Sequence, residues 1–161
     1  FISAVIMCII FIGVINAQEN KSTWGISAAL QDTQLDIMFP IWAGTSYVIA
    51  PTIGVIHIGE IGTDLRIGLV NRIFLNTTEK IKPFLGIRVG AMFSMPDEGD
   101  SVIDYIVGFL GGGEYFFSDS FSVGVEAQLN MSISDKASGR FGNPGGTNLN
   151  TATALFATVY F

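Results

Sequence analysis

The stretch Phe121–Ile133, FSVGVEAQLNMSI, decides the fold class of this chain. Apolar side chains occupy every odd position, and polar side chains or glycine occupy every even position. Because successive side chains of a β-strand point to opposite faces, the stretch predicts one strand with an apolar face and a polar face. Its length exceeds the about 5–6 residues usual in soluble proteins but suits a tilted strand that crosses a membrane. The alternative is an edge strand of a large soluble sandwich.

The same alternation recurs along the chain and predicts seven further strands. They span 24–30, 35–42, 47–58, 64–75, 81–94, 102–117 and 151–161. Eight strands place both chain ends on one side of an up-and-down antiparallel β-barrel, as single-chain bacterial barrels require. The short turns lie on this periplasmic side, at 43–46, 76–80 and 118–120. The two longest connections, 95–101 and 135–150, lie on the outside, which is the asymmetry expected of such barrels.

Three prolines fall within the predicted strands, at Pro40, Pro51 and Pro83. Proline donates no ladder hydrogen bond, and a closed barrel has no free edge on which to place it. Pro83 lies near the start of a strand, where proline is tolerated. Pro40 and Pro51 predict bulges or a different register in the first hairpin. If residues 24–42 formed one bent strand, the count would fall to seven.

The N-terminal segment has the pattern of a secretory signal peptide. Residues 1–15 are almost all apolar, and a small residue, Ala17, precedes a polar segment. We therefore expect cleavage after Ala17, with a barrel over 18–161 and with the true start of the chain upstream of Phe1. A membrane anchor is the alternative, but it needs about 20 apolar residues. The only cysteine, Cys8, lies in the removed segment, so no disulfide framework or thiolate site is expected.

Composition narrows the class of protein further. The formal net charge is −6, which argues against nucleic-acid binding, and charged residues make up 14% of the chain against a typical ~25%. No segment after residue 17 is apolar for 18 residues or more, so no spanning helix is expected. Only helices and closed barrels satisfy all backbone groups in lipid, which leaves an all-β transmembrane barrel in the bacterial outer membrane.

The chain ends in TALFATVYF, residues 153–161. This segment resembles the closing strand of outer-membrane barrel proteins, with a terminal aromatic residue and apolar residues at alternate positions. The resemblance rests on Leu155, Ala157, Val159, Tyr160 and Phe161, and the chain is similar in size and layout to the small OmpA/OmpX-type barrels. It implies that the last strand is the signal read by the barrel-assembly machinery and that the protein lies among lipopolysaccharide.

Six charged residues share the inward-facing parity of the predicted strands. They are Asp36, Arg66, Arg72, Arg88, Glu114 and Glu126. An eight-stranded barrel has an interior just wide enough for side chains to fill, and charges buried there must pair. We therefore expect a network of arginine with carboxylates, hydrogen-bonded to Gln128 and Asn130. The alternative is a charged, narrow pore that opens transiently.

Aromatic residues cluster at the predicted periplasmic strand ends. They are Trp24, Tyr47, Phe117, Phe121 and Phe161. Such girdles lie where amphipathic rings meet lipid headgroups, although strands favour aromatic residues in any setting. The sequence therefore predicts one edge of a membrane-embedded band.

Three functions remain open. The first is a non-enzymatic structural or adhesion-type surface protein, with Arg140 and Phe141 in the loop 135–150 as candidate ligand contacts, although that loop could equally be unspecialised. The second is a narrow channel or transporter for small solutes, hydrophobic ones included, for which the inward glycines leave room: Gly86, Gly90, Gly108 and Gly112.

The third is an outer-leaflet lipid-modifying enzyme. The only histidine, His57, lies at an outer strand end near Glu60, but Gly59 stands where the similar enzymes have serine. A rim histidine is more often a solvated side chain, so the enzyme is the least favoured of the three. No catalytic constellation, cofactor motif or metal spacing occurs in the sequence, and none of these sites is expected.

Overall fold

The structure is a computed structural model that describes residues 23–32, 34–58, 62–75, 79–97 and 99–161. These residues form eight β-strands. The strands are β1 (Gly25–Gln31), β2 (Gln34–Met38 continued by Ile41–Trp42), β3 (Tyr47–Ile58), β4 (Gly62–Phe74), β5 (Ile81–Pro96), β6 (Val102–Ser118), β7 (Phe121–Ile133) and β8 (Thr147–Tyr160). Within the described ranges, no helix is long and apolar enough to span a membrane. The predicted signal peptide, residues 1–17, lies outside the described part of the chain.

The eight strands close into a barrel. Each strand pairs antiparallel with its neighbours in sequence, and β8 returns to pair with β1. Ser27 of β1, for example, lies between Met38 of β2 and Thr158 of β8. Closure leaves no free sheet edge, and the predicted up-and-down antiparallel barrel is confirmed.

The alternation in the sequence separates the two faces of the barrel wall. Along β7, every odd residue from Phe121 to Ile133 is exposed and every even residue is buried. Phe109 and Leu155, on neighbouring strands, are likewise exposed on the outer face. No side chain on the outward rows of the eight strands carries a formal charge. The outer face is therefore an uncharged, largely apolar surface, whereas the charged residues of the strands point inward.

The barrel has two unlike ends. The turn end holds Trp24 before β1, Phe161 after β8 and the connections 43–46, 75–80 and 119–120. The loop end holds the connections 32–33, 59–61, 97–101 and 134–146. The longest connection, 134–146, lies at the loop end, but the prediction that both of the longest connections lie there is wrong, because β5 continues to Pro96 and leaves 97–101 shorter than 75–80.

Most predicted strand limits agree with the structure to within two residues, and β3 and β7 have the predicted limits. The exception is the last connection. The predicted loop 135–150 is wrong at its end, because β8 begins at Thr147 and pairs from there with Ile133 of β7. The loop therefore spans 134–146.

Pro40 interrupts β2 without the bulge that the sequence predicts. Ile37 faces Ile53 on one side of it, and Ile41 faces Ile49 on the other. Equal numbers of residues separate these pairs on the two strands, so the register between β2 and β3 does not change. The two segments of β2 are one strand, and the predicted count of eight stands.

Each of the two prolines removes one donor from the ladder and keeps its acceptor. The Gly25 N–H donates to the Pro40 carbonyl at 2.8 Å, and the Phe39 N–H donates to the Pro51 carbonyl at 2.9 Å. The hydrogen bond that Pro40 cannot donate is lost between β1 and β2, and the one that Pro51 cannot donate is lost close by, between β2 and β3. The barrel thus accommodates both prolines at the cost of two ladder hydrogen bonds.

Candidate functional site

Aromatic rings fill the turn-end half of the barrel interior. We call this cluster the aromatic plug; it consists of Trp42, Phe74, Phe84, Phe116, Phe156 and Tyr160. Trp42 stacks on Phe74 with ring centroids 4.9 Å apart, and Phe74 meets Phe84 edge-on at 5.5 Å. Phe84 lies 6.2 Å from Phe156, and both rings are buried. The inward rows are therefore polar only in part, and an apolar core closes this half of the lumen.

Arg72 lies at the boundary between the aromatic plug and the polar half. Its guanidinium carbon sits 4.9 Å from the ring centroid of Phe84 and 4.3 Å from that of Phe156. Its Nη2 donates to Glu126 Oε2 at 2.7 Å, and both side chains are buried. The carboxylate and the ring faces together offset the desolvation of this cation.

Inward glycines make room for the large interior side chains. A Cβ at Gly124 would collide with the Phe156 ring, and one at Gly112 would lie 2.7 Å from Phe84 Cζ. A Cβ at Gly86 would lie 2.8 Å from Leu110.

The glycines nearer the loop end differ in what they face. A Cβ at Gly108 would lie 3.2 Å from Arg88 Cγ, so that space is also taken. Gly90 lines an interior cavity. Three of the four glycines predicted to leave space for a solute therefore leave it for the barrel's own side chains.

Glu114 lies apart from the arginines, near the turn end. It is fully buried, and its Oε1 accepts hydrogen bonds from the hydroxyls of Ser122 and Tyr160, the latter at 2.9 Å. Lys82 is its cross-strand neighbour on β5 and packs over the Phe116 ring at 4.1 Å. This carboxylate is thus tied to the aromatic plug.

A polar network continues from Arg72 toward the loop end. Gln128 Nε2 donates to Glu126 Oε1 at 2.6 Å, and Gln128 Oε1 accepts from Asn130 at 3.2 Å and from Arg88. Arg88 Nη1 also donates to Gln31 Oε1 at 3.3 Å. One glutamine side chain therefore joins the Arg72–Glu126 pair to Arg88.

Arg66 and Asp36 form a second ion pair in the loop-end half. Arg66 Nη2 and Nε both donate to Asp36 Oδ1, at 2.7 and 3.1 Å. A Cβ at Gly54 would collide with this carboxylate, so the glycine permits the pair. Arg66 Nη1 is buried and has no hydrogen-bond partner within the described part of the chain.

A cavity of about 270 Å³ lies in the loop-end half. Its deep wall includes Val70, Arg88 and Asn130, and Phe141 of the loop 134–146 lies at its mouth. Arg66 also lines it. The polar half of the interior is therefore a vestibule with the aromatic plug between it and the turn end.

The loop 134–146 is fastened over this vestibule by Arg140. Its guanidinium pairs with Asp64 at 2.8 Å and with the fully buried Asp104 at 3.3 Å, and it donates to Ser94 Oγ at 2.9 Å. Ser138 Oγ of the same loop donates to Asp104 at 2.7 Å. We call this cluster the latch (Ser94, Asp64, Asp104, Ser138, Arg140).

The structure places all six predicted network residues inside the barrel but divides them among separate partners. Arg72 pairs with Glu126, Arg66 pairs with Asp36, Arg88 contacts amide oxygens, and Glu114 contacts hydroxyls. Arg140, predicted as a surface ligand contact, instead points into the latch, and Phe141 lies at the cavity mouth.

Sequence reasoning missed the two aspartates of the latch and the aromatic plug. Asp64 and Asp104 share the inward parity that identified the other charges, and so do Phe84 and Phe156, so the signal was available. Their parity alone could not show that a loop residue would meet them.

The predicted girdle residues lie at the turn end. Trp24 and Phe161 have ring centroids 4.9 Å apart, and Phe117 and Phe121 stack at 5.5 Å, all exposed on the outer wall. The Tyr47 hydroxyl donates a hydrogen bond to Asn71 Oδ1 at 2.8 Å. Asn71 is a polar residue on the outward row of β4, and this bond gives its side chain a partner.

Within the closing strand β8, the predicted assembly residues face both ways. Leu155, Ala157 and Val159 point outward with the terminal Phe161, whereas Tyr160 points inward to Glu114. The role of this strand in assembly stays a prediction.

His57 lies exposed at the loop end of β3. Its Nδ1 is 2.9 Å from Thr63 Oγ1, and Glu60, its predicted acidic neighbour, lies outside the described residues. In the described ranges, no three His, Cys, Asp or Glu side chains are grouped so that they could hold a metal ion. Among the described residues, the hydrogen-bonding partner of His57 is the Thr63 hydroxyl.

Comparisons with known proteins identify the fold. No protein-family model and no curated protein sequence matches the chain. Among solved structures, the chain is similar to Neisserial surface protein A (NspA), with a TM-score of 0.56, 15% sequence identity, and coverage of 89% of this chain and 100% of the other. At this identity the likeness shows the fold alone: a small, closed, eight-stranded antiparallel barrel, as the resemblance to the OmpA/OmpX type predicts.

Proposed function

We propose that this chain is an integral barrel of the bacterial outer membrane, exported with a signal peptide that is then cleaved. The observation that carries the proposal is the uncharged, apolar outer face of a closed wall. A soluble barrel would expose this surface to water, and contiguous apolar patches far larger than a few hundred Å² are rare on soluble monomers. In a bilayer the same face meets hydrocarbon, and closure satisfies the backbone.

The test is fractionation combined with gel mobility. The protein should partition with outer membranes, resist extraction by urea, and migrate differently on a gel before and after boiling. Recovery in the soluble periplasm with no mobility shift would contradict a membrane location and would favour a secreted barrel.

We further propose that the protein is non-enzymatic and acts through its loop end, as a structural or adhesion-type surface protein. Among the described residues, the aromatic plug and the buried Arg72–Glu126 pair occupy the turn-end half of the lumen, which argues against a permanently open channel. The name of NspA, a surface protein, agrees with a role at the cell surface. Lipopolysaccharide around the wall and the barrel-assembly machinery during biogenesis are the other expected partners.

The chemistry of the loop end favours a basic surface partner. Asp32, Asp97, Asp100 and Asp135 are exposed on connections at this end, against one exposed lysine, Lys136, in the described part of these connections. An acidic rim attracts cationic surfaces and speeds their association at low salt.

An epitope inserted after Pro144, at the exposed tip of the loop 134–146, tests which end faces outward. Intact cells should bind the antibody. The matched control is the same epitope after Asp119, in a turn-end connection, and it should be labelled only after the outer membrane is permeabilised. The reverse pattern would invert the proposed orientation.

The channel alternative predicts something different in planar bilayers. With the aromatic plug in place, purified protein should give no conductance steps above baseline. Steps that persist in repeated preparations, and that vanish on boiling, would overturn the structural role of the interior.

A further inference from the structure

Arg88 is the one arginine of the barrel interior without a carboxylate partner among the described residues. Arg66, Arg72 and Arg140 each lie within 4.0 Å of an acidic side chain, whereas the contacts of Arg88 are to the amide oxygens of Gln31 and Gln128. An amide oxygen accepts a hydrogen bond but supplies no countercharge. Glu126 and Asp36 attract the half-buried guanidinium of Arg88 only from beyond 4.0 Å, so its charge is compensated in part and without a contacting carboxylate.

Arg66 supplies a second, free donor to the same space. Its Nε and Nη2 bind Asp36, whereas Nη1 has no hydrogen-bond partner among the described residues, although only 9% of the residue's surface is exposed. Both arginines line the cavity of about 270 Å³. A buried donor beside a polar cavity is normally satisfied by a water molecule or an ion.

The acidic residues near the cavity are engaged elsewhere. Asp36 is neutralised by Arg66. Asp64 and Asp104 do not line the cavity; they bind Arg140, and Asp104 also accepts from Ser138 and from the Asp135 N–H at 2.9 Å. The remaining lining carboxylate, Asp32, is exposed at the mouth. The deep wall of the vestibule is therefore locally cationic.

We propose that the vestibule binds a small monovalent anion between Arg66 Nη1 and Arg88, of the size of a halide, nitrate or short carboxylate. Charge-assisted hydrogen bonds from two guanidiniums would hold it. The site lies inside the barrel wall, so its ligand is a free solute rather than a lipid headgroup. The aromatic plug limits access to the loop end.

Crystals of the full protein grown in bromide locate the site directly. Anomalous difference density is expected in the vestibule, within hydrogen-bonding reach of Arg66 Nη1 and Arg88. Water in that position, with bromide found only on the outer surface, would overturn the proposal.

Calorimetric titration of the detergent-solubilised barrel with nitrate tests the same site in solution, with ionic strength held by gluconate, a bulkier anion. Gln31→Glu is nearly isosteric and places a carboxylate beside Arg88, so an internal countercharge replaces the external one. Nitrate affinity should fall about tenfold or more, since a hydrogen bond to a charged group is lost to the ligand.

Two further variants keep this result interpretable. Lys136→Gln removes a positive charge from the exposed loop and should leave nitrate affinity unchanged. Arg66→Lys keeps the charge but removes Nη1, and affinity should fall. Wild type without measurable nitrate binding, or Gln31→Glu binding nitrate as wild type does, would each refute the proposal. Gel mobility before and after boiling verifies that every variant is a closed barrel.

Discussion

Replacing Glu126 with glutamine should destabilise the barrel strongly, although the change removes almost no volume. Arg72 would keep its position between Phe84 and Phe156 but would lose its carboxylate partner at 2.7 Å. Both side chains of the pair are nearly inaccessible, at 2% and 4% exposure, so solvent cannot take the place of the missing charge.

The size of the effect follows from these contacts. Removing one partner of a buried ion pair costs about 3–5 kcal/mol. The two ring contacts of Arg72 persist in both variants and therefore cancel in the difference. We expect the free energy of unfolding to fall by about 3–5 kcal/mol. Urea unfolding in lipid vesicles, followed by the fluorescence of Trp42 inside the aromatic plug, measures it.

The control for this experiment is Asp119→Asn, which makes the same charge change at an exposed turn and should shift stability by about 0.5 kcal/mol or less. A second comparison is the double variant Arg72→Met with Glu126→Gln, which removes the orphaned cation. The double variant should be more stable than Glu126→Gln alone. A Glu126→Gln barrel as stable as the Asp119→Asn barrel, or a double variant less stable than the single one, would refute the assigned role of the pair.

Three further predictions test the wall, the packing and the latch. Val125→Arg places a cation on the outer face and should lower the free energy of unfolding in vesicles by about 2–4 kcal/mol. Leu149→Arg, near the loop end, should lower it by about 1 kcal/mol or less. Equal losses for the two variants would contradict a membrane-centred band. Gly124→Val should prevent closure of the barrel, because the new side chain would occupy the place of the Phe156 ring, and the gel-mobility shift should be lost. Gly113→Ala should fold normally, because the space around Gly113 is open. Arg140→Ala should speed protease cleavage within the loop 134–146 without changing the urea midpoint much; wild-type cleavage rates would show that the latch does not hold the loop.

The sequence predicts the barrel wall well because one physical rule governs it. Outward side chains of the strands are mostly apolar, so period-2 alternation marks β7 to the residue. Both faces of β3 are largely apolar, and its limits are marked instead by the flanking turn residues, 43–46 and 59–62. The rule fails at 147–150, where TNLN reads as a polar loop. There the pairing with β7 extends the strand beyond the apolar face, and pairing is a tertiary property that alternation does not report.

The interior was harder to predict because parity identifies which residues point inward but not which of them meet. Asp36 and Arg66 lie 30 positions apart and come together only through the register of β2, β3 and β4. The sequence places Arg140 at the surface because its loop is rich in glycine and asparagine. Nothing local indicates that two aspartates on β4 and β6 would hold it.

The positions of the charges account for a low charge content together with a net charge of −6. In the described part of the chain, the barrel interior together with the latch holds five cationic and five acidic side chains. The cations are Arg66, Arg72, Lys82, Arg88 and Arg140, and the acids are Asp36, Asp64, Asp104, Glu114 and Glu126. The interior is therefore balanced, and the outer rows are uncharged. The whole negative excess thus falls outside this balanced set, in the N-terminal segment and the other residues of the connections. If the wall faces lipid, as proposed, its outer rows cannot carry charge, and the binding of partners depends on the connections. Changes in the connections should therefore alter binding without altering the barrel.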